Sequence, residues 1–277
     1  MKENFKKWII GIIIVLILII PIIISNINSN NIKEKKFSDF YDNISETDFS
    51  VVYFGSTEKK DYEDNKKVLI EMQKEFTSID IYAVDNQKLT EEEKTKLVEL
   101  NSEFKNENVF TIISDKELVY VNSNKITDTE LKKQINKYYN NIIPEDEIAY
   151  KTVSTYKAYM KLVNSKNITM AVFGRNTCSW CNKYKPLYND VAREYGIDIY
   201  YFDSDSFNST EYNKILNSGL KIPAKCSTKG KETLLSDGFG TPLTIFTKDG
   251  KTVDCIGGYV NKTNLINKLE EVGIINN

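Results

Sequence analysis

The chain has 277 residues, 41% hydrophobic and 27% charged, which suits one large or two ordinary globular domains once the first segment is set aside. Basic residues (37) and acidic residues (39) nearly cancel to a formal charge of -2, so no nucleic-acid partner is expected. There is no histidine, which excludes Ser-His and Cys-His catalytic pairs and His-ligated zinc. Thiol chemistry must come from Cys178, Cys181, Cys226 and Cys255.

At the amino end, Lys2, Lys6 and Lys7 precede an apolar run from Trp8 to Ile24, close to the shortest length that spans a bilayer. Pro21 is tolerable near the end of such a run. The exit S-N-I-N-S-N lacks the small-residue pattern of a cleavage site, so residues 1–28 are expected to form an uncleaved membrane anchor rather than a cleaved signal peptide. The basic leading flank favours a body outside the cytoplasm, although Lys33, Lys35 and Lys36 blunt the asymmetry. An oxidising compartment also suits the close cysteine pair.

Beyond the anchor the chain repeats itself. D-F-S-V-V-Y-F-G-S followed by S-I-D-I-Y-A-V-D has a counterpart in N-I-T-M-A-V-F-G-R followed by G-I-D-I-Y-Y-F-D. Each half begins with a short helix (Phe37 to Ile44; Ser154 to Val163) and a β-rich strand ending in Phe-Gly. A long helix and a parallel I-D-I-Y strand follow. A hairpin comes next, turning at Asp115-Lys116 or Asp249-Gly250, and an amphipathic helix closes each unit. The fold class is thus α/β, with a mixed central sheet flanked by helices in each half. Residues 29–142 and 143–277 are the expected domains, separated near N-N-I-I-P-E-D-E, where Pro144 interrupts the pattern. The tyrosines are expected in sheet and core. The runs K-E-K-K and T-E-E-E-K read as solvated faces.

The chemistry concentrates at N-T-C-S-W-C-N-K-Y-K-P. Cys178 falls in the turn between the strand ending at Phe173-Gly174 and a helix expected over Lys183 to Glu194. There, unpaired amides and the helix dipole favour a thiolate. Cys178 is the expected attacking cysteine, and Cys181, about one turn further in, the resolving one. Zinc would want a second close pair or histidines, so neither metal nor other cofactor is expected. Pro186 should bend the helix just past the pair. G-F-G-T-P-L-T-I-F places Thr241-Pro242 at a strand entrance, where a cis bond would leave the preceding backbone free to pair with an extended substrate. Trp180, between the cysteines, is expected to contact substrate as well. Cys226 and Cys255 could form a second disulfide, structural or regulatory, or remain unpaired thiols.

With C-S-W-C at a strand-helix turn, Pro186 in the helix, Thr241-Pro242 before the hairpin and Gly258 after it, the second half resembles the thioredoxin superfamily. F-G-R-N-T-C-S-W-C-N-K-Y-K-P looks most like the thioredoxin-like bacteriocin-transport accessory proteins of Gram-positive bacteria. The resemblance implies two tandem thioredoxin-like domains and a thiol–disulfide oxidoreductase that exchanges disulfides with cysteine-containing secreted polypeptides and with an unidentified redox partner. It also exposes departures. Thioredoxins carry a buried aspartate where this chain has Val172, the dipeptide Ser179-Trp180 is neither Gly-Pro nor His-containing, and extra residues containing Cys226 lie between Asp203 and Pro242. In the first half, Lys59 and Tyr62 fall where cysteines belong and Val109 where the proline belongs, so that half should be redox-inert. The rival expectation is a non-enzymatic adaptor that uses the same folds with a structural disulfide.

Overall fold

The computed structural model describes residues 32–276. The expected membrane span, Trp8 to Ile24, lies outside them. Among the described residues no helix is long and apolar enough to cross a membrane. The described residues divide into two compact units, with the boundary between Ile135 and Asn136. This division falls within the helix Asp128–Tyr138, earlier than the expected change-over at 142/143, because the last turn of that helix groups with the second unit.

The first unit contains β1 (Lys33–Glu34), α1 (Phe37–Glu46), β2 (Phe49–Gly55), α2 (Lys60–Glu75), β3 (Asp80–Asp85), α3 (Glu91–Leu100), β4 (Val109–Ser114), β5 (Glu117–Asn122) and α4 (Asp128–Tyr138), the last reaching just past the dividing point. Its sheet has the order β1-β3-β2-β4-β5, the first three strands parallel and the last two antiparallel.

The second unit contains β6 (Lys151–Thr152), α5 (Tyr156–Val163), β7 (Thr169–Gly174), α6 (Ser179–Tyr195), β8 (Ile199–Asp203), α7 (Ser209–Leu216), β9 (Lys221–Ile222), β10 (Thr233–Leu234), β11 (Leu243–Lys248), β12 (Lys251–Gly257) and α8 (Lys262–Glu271). Read from its parallel edge, its sheet runs β6-β8-β7-β11-β12, with the same strand directions as the first. The correspondence extends to detail. Each sheet has one register irregularity, at Ile112/Ile113 and at the matching Phe246/Thr247. Both hairpins turn through two residues of positive φ, Asp115-Lys116 and Asp249-Gly250, the turn whose twist suits paired strands.

Local chemistry sets the element ends. Thr155 accepts a hydrogen bond from the Ala158 N–H, so α5 starts at Tyr156 rather than at Ser154. Gly196, in the left-handed conformation, ends α6. Strand alternation then divides the second unit's sheet into two faces. Ala171, Phe173, Phe202, Leu243 and Ile245 join Tyr159 and Leu235 in one buried cluster. Val172, Tyr201 and Thr244 form a row across the opposite face, beneath α6. Burying several large side chains on each face, at about 1.5–3 kcal/mol apiece, fixes this register, because a one-residue slip would exchange the faces.

Candidate active site

The strand-to-helix turn after β7 positions the cysteines. Cys178 is the N-cap of α6, and the Cys181 backbone N–H donates to its Sγ at 3.1 Å. A sulfur in this position faces unsatisfied amides and the positive end of the dipole, which stabilise it as a thiolate. The two cysteines are disulfide-bonded with Cα atoms 5.2 Å apart. Cys178 is partly exposed and Cys181 is 1% exposed, so an incoming sulfur meets Cys178 first. The helix begins earlier than its apolar periodicity suggests, at Ser179, because the capping sulfur replaces a polar side chain in starting it.

Across the turn, the Thr241-Pro242 peptide bond is cis, and the Thr241 carbonyl oxygen lies 3.5 Å from Cys178 Sγ. Bonded to its partner, that sulfur has no proton to donate, so this is a close approach of two acceptors. The Gly258 N–H donates to the Pro242 carbonyl at 2.9 Å, which joins the proline loop to the end of β12. Trp180 is 55% exposed beside the pair. Its ring packs on Tyr259 with centroids 5.7 Å apart, and Lys183 Nζ lies 5.3 Å and 5.5 Å from the two rings. Next to Thr241 a cleft of about 240 Å³ is lined by Arg175, Ser204, Tyr212, Leu235 and Phe239 among others. Amide-bonding backbone, an aromatic surface and a cleft thus surround the accessible sulfur.

Beneath the pair, a polar network braces the turn. Asn176 donates to the Asp203 carboxylate at 2.5 Å and accepts from Lys185 Nζ at 2.8 Å, while Asn182 donates to the Asn176 carbonyl at 2.8 Å. Burial pulls the Lys185 ammonium below its ordinary value of 10.5, and the nearby Asp203 charge offsets this only in part. Its Nζ lies 4.8 Å from the centre of the Tyr201 ring. Burial first, then the Asp203 charge, raises the Tyr201 phenol above its ordinary value of 10.0. None of these groups stood out in the sequence as part of a site. The double tyrosine in I-D-I-Y-Y-F-D was the available signal, since its second member must face α6.

Residues 156–273 match the sequence model of a family described as thioredoxin-like domain. The second unit is similar to a thioredoxin-like domain over these residues. Solved structures similar to the chain include the zinc-bound form of human ERp44, at 9% identity and a TM-score of 0.48. That match covers 87% of this chain, which spans 59% of the length of the ERp44 structure. Thioredoxin from Trypanosoma brucei brucei is similar at 15% identity and TM-score 0.34, over 48% of this chain and 99% of that one. Thioredoxin from Fasciola hepatica is similar at 21% identity and TM-score 0.32, over 44% and 97%. No curated protein matches the sequence.

Within the second unit, the residues between Asp203 and Pro242 form α7 and the small antiparallel pair β9 and β10. Cys226 and Cys255 are disulfide-bonded, with Cα atoms 6.3 Å apart, so the bond ties this segment to β12. Gly257 allows the approach: a Cβ there would stand 3.2 Å from the Cys226 Cα. Lys225 and Lys268 both pair with Asp254, at 2.5 and 3.0 Å, immediately beside the bond.

In the first unit the corresponding turn has no sulfur. Lys59 stands at the N-cap of α2 without a side-chain hydrogen bond, where Cys178 caps α6 through its sulfur, and Tyr62, 1% exposed, fills the place of Cys181. Tyr62 donates to Glu34 at 3.0 Å. Pairing corrects one expectation. Phe54 faces Val109 and Phe173 faces Leu243, so Val109 corresponds to Leu243 and the residue in the place of Pro242 is Asn108. Asn108 accepts from Tyr53 at 2.6 Å, a bond that proline could not make.

Proposed function

We propose that the protein is a thiol–disulfide oxidoreductase whose second unit performs the exchange. The supporting observation is the placement of the bonded pair, with a reachable Cys178 capping a helix and Cys181 buried behind it. A substrate thiolate attacks Cys178 Sγ, forming a mixed disulfide and displacing the Cys181 thiolate. A second substrate thiol, once deprotonated, attacks the mixed disulfide, and substrate leaves oxidised while both cysteines end reduced. Two electrons and two protons pass to the protein. Run in reverse, the same steps reduce a substrate disulfide.

Cysteine-containing polypeptides are the proposed substrates, held by backbone pairing at Thr241-Pro242 and by contact with Trp180. A separate redox partner returns the cysteines to their starting state. The apolar run Trp8 to Ile24 anchors the protein by a single pass, with the body outside the cytoplasm, where secreted peptides of the bacteriocin type would meet it. The first unit is proposed as a redox-inert thioredoxin-like domain that binds or spaces polypeptide.

Insulin reduction by dithiothreitol tests the exchange chemistry. The full-length protein should accelerate it and Cys178→Ser should not. Equal rates would favour an adaptor that carries a structural disulfide. Cys181→Ser should accumulate mixed disulfides with its substrates in cells, and recovery of the wild type in the membrane fraction with residues 1–28 still attached checks the anchor.

A further inference from the structure

Resting on the exchange reaction above, the chemistry at the inner sulfur raises a question the cysteines alone do not answer. When substrate attacks Cys178, the displaced Cys181 sulfur becomes a thiolate at a position only 1% exposed. A buried, unpaired thiolate is costly, and a group that hydrogen-bonds the charged form lowers that cost.

One hydroxyl is in place. A Cβ built on Gly174 would stand 3.0 Å from Tyr201 Oη and 3.3 Å from Cys181 Cβ, so the phenol and the cysteine both border one point at the end of β7. Tyr201 is 3% exposed, and its hydroxyl makes no hydrogen bond among the described residues. Buried hydroxyls are normally satisfied, and one left open beside a reactive atom asks for a role.

The first unit supplies an internal comparison. There the tyrosine sits on the neighbouring strand: Tyr53 matches Val172, and Ala83 matches Tyr201. Its hydroxyl also lies against the strand-end glycine, Gly55. In that unit, which lacks the cysteines, the hydroxyl is bonded twice. It donates to Asn108 and accepts from Asn65 at 3.0 Å. In the unit with cysteines, Pro242 replaces Asn108 and offers no such side-chain acceptor.

We infer that Tyr201 donates its O–H to the Cys181 thiolate as the disulfide opens. The S–S bond breaks as the substrate–Cys178 bond forms, and the electron pair goes to Cys181 Sγ, where the phenol hydrogen bond offsets the charge until solvent supplies a proton. In the reverse direction solvent takes that proton, and the same hydrogen bond favours the Cys181 thiolate that attacks the mixed disulfide. The groups facing this path are Tyr150 and Tyr188 against the Tyr201 ring, the carboxylates Asp203 and Asp205, and Asn176 at Lys185. A neutral phenol suits the role of donor.

The test titrates Cys181 in full-length Cys178→Ser protein by its ultraviolet thiolate absorbance, with and without Tyr201→Phe. The inner thiol should titrate about one pH unit higher in Tyr201→Phe, a roughly tenfold loss of thiolate at a given pH. In the otherwise wild-type chain, a mixed disulfide formed at Cys178 with Ellman's reagent should resolve about tenfold more slowly after Tyr201→Phe, while alkylation of Cys178 keeps its rate. An unchanged Cys181 titration in Tyr201→Phe overturns the inference. Because that titration needs no substrate, it fails independently of the exchange function: inactivity toward insulin beside a Tyr201-dependent titration would sink the function and keep the contact.

Discussion

Gly174 links the fold to the chemistry at the scale of one residue. It ends β7, and the Tyr201 ring crosses over it so closely that a Cβ would stand 2.9 Å from the ring carbon Cε2. The ring cannot retreat readily, because Tyr150 and Tyr188 pack against it with centroids 5.9 and 6.3 Å away. Gly174→Ala should therefore destabilise the second unit by about 1–3 kcal/mol, as overpacking does, and urea unfolding should show it. The same variant pushes on Cys181, so the rate of mixed-disulfide resolution should fall with it. Equal stability of Gly174→Ala and wild type would mean that the ring can move aside.

At the scale of elements, the Cys226–Cys255 bond is the fastening between the α7–β10 segment and β12. Its sequence separation of 29 residues sets its worth through the entropy of the closed loop. Cys226→Ala with Cys255→Ala should cost roughly 3 kcal/mol, measured by urea unfolding under oxidising conditions. Because that segment also lines the cleft beside Thr241, the double variant should weaken substrate binding more than it slows chemistry at Cys178. The neighbouring carboxylate adds a pH dependence. Desolvation works to raise the Asp254 carboxyl, but hydrogen bonds from Lys225, Lys268 and the Cys255 N–H outweigh it and hold it below its ordinary 3.8. A carboxyl depressed in the folded state stabilises above its unfolded value and loses that contribution as pH falls through the folded one. Wild-type stability should thus decline below about pH 4, and Asp254→Asn should flatten part of that decline. Parallel acid-unfolding curves for the two proteins would rule the contribution out.

For the whole molecule, the two units share strand order, hairpin turns and the place of the register irregularity, yet only one carries sulfur at the helix cap. Cys178→Ser in the full chain should consequently abolish disulfide exchange rather than halve it. Residual turnover above background would point to the Cys226–Cys255 pair, and adding Cys226→Ala with Cys255→Ala would then remove it. The first unit keeps its fold by filling the cysteine positions with Lys59 and Tyr62 and by closing a Tyr53–Asn65–Asn108 network beneath them. That network makes its turn a packed structural feature and bonds the tyrosine hydroxyl that stays open beside Gly174 in the second unit.

Much of this was legible in order along the chain. Alternation and helical periodicity placed the strands and helices, Asp249-Gly250 placed a hairpin, and C-S-W-C followed by Pro186 marked the turn that carries the close disulfide, because these signals depend on neighbours a few residues apart. The match of Val109 to Pro242 was one residue out, since strand register is set by partners across the sheet and not by counting from a motif. The bond between Cys226 and Cys255 stayed open for the same reason: pairing depends on a Cα separation that only folding creates. So did the place of Tyr201, which is one tyrosine among 17 in the sequence until β8 comes to lie beside β7 and brings its hydroxyl to Gly174, which Cys181 also borders. Local spacing dictated which elements form and where the close cysteine pair lies, while long-range packing decided what surrounds the buried sulfur, because dielectric and contact belong to a place in space that no stretch of chain contains alone.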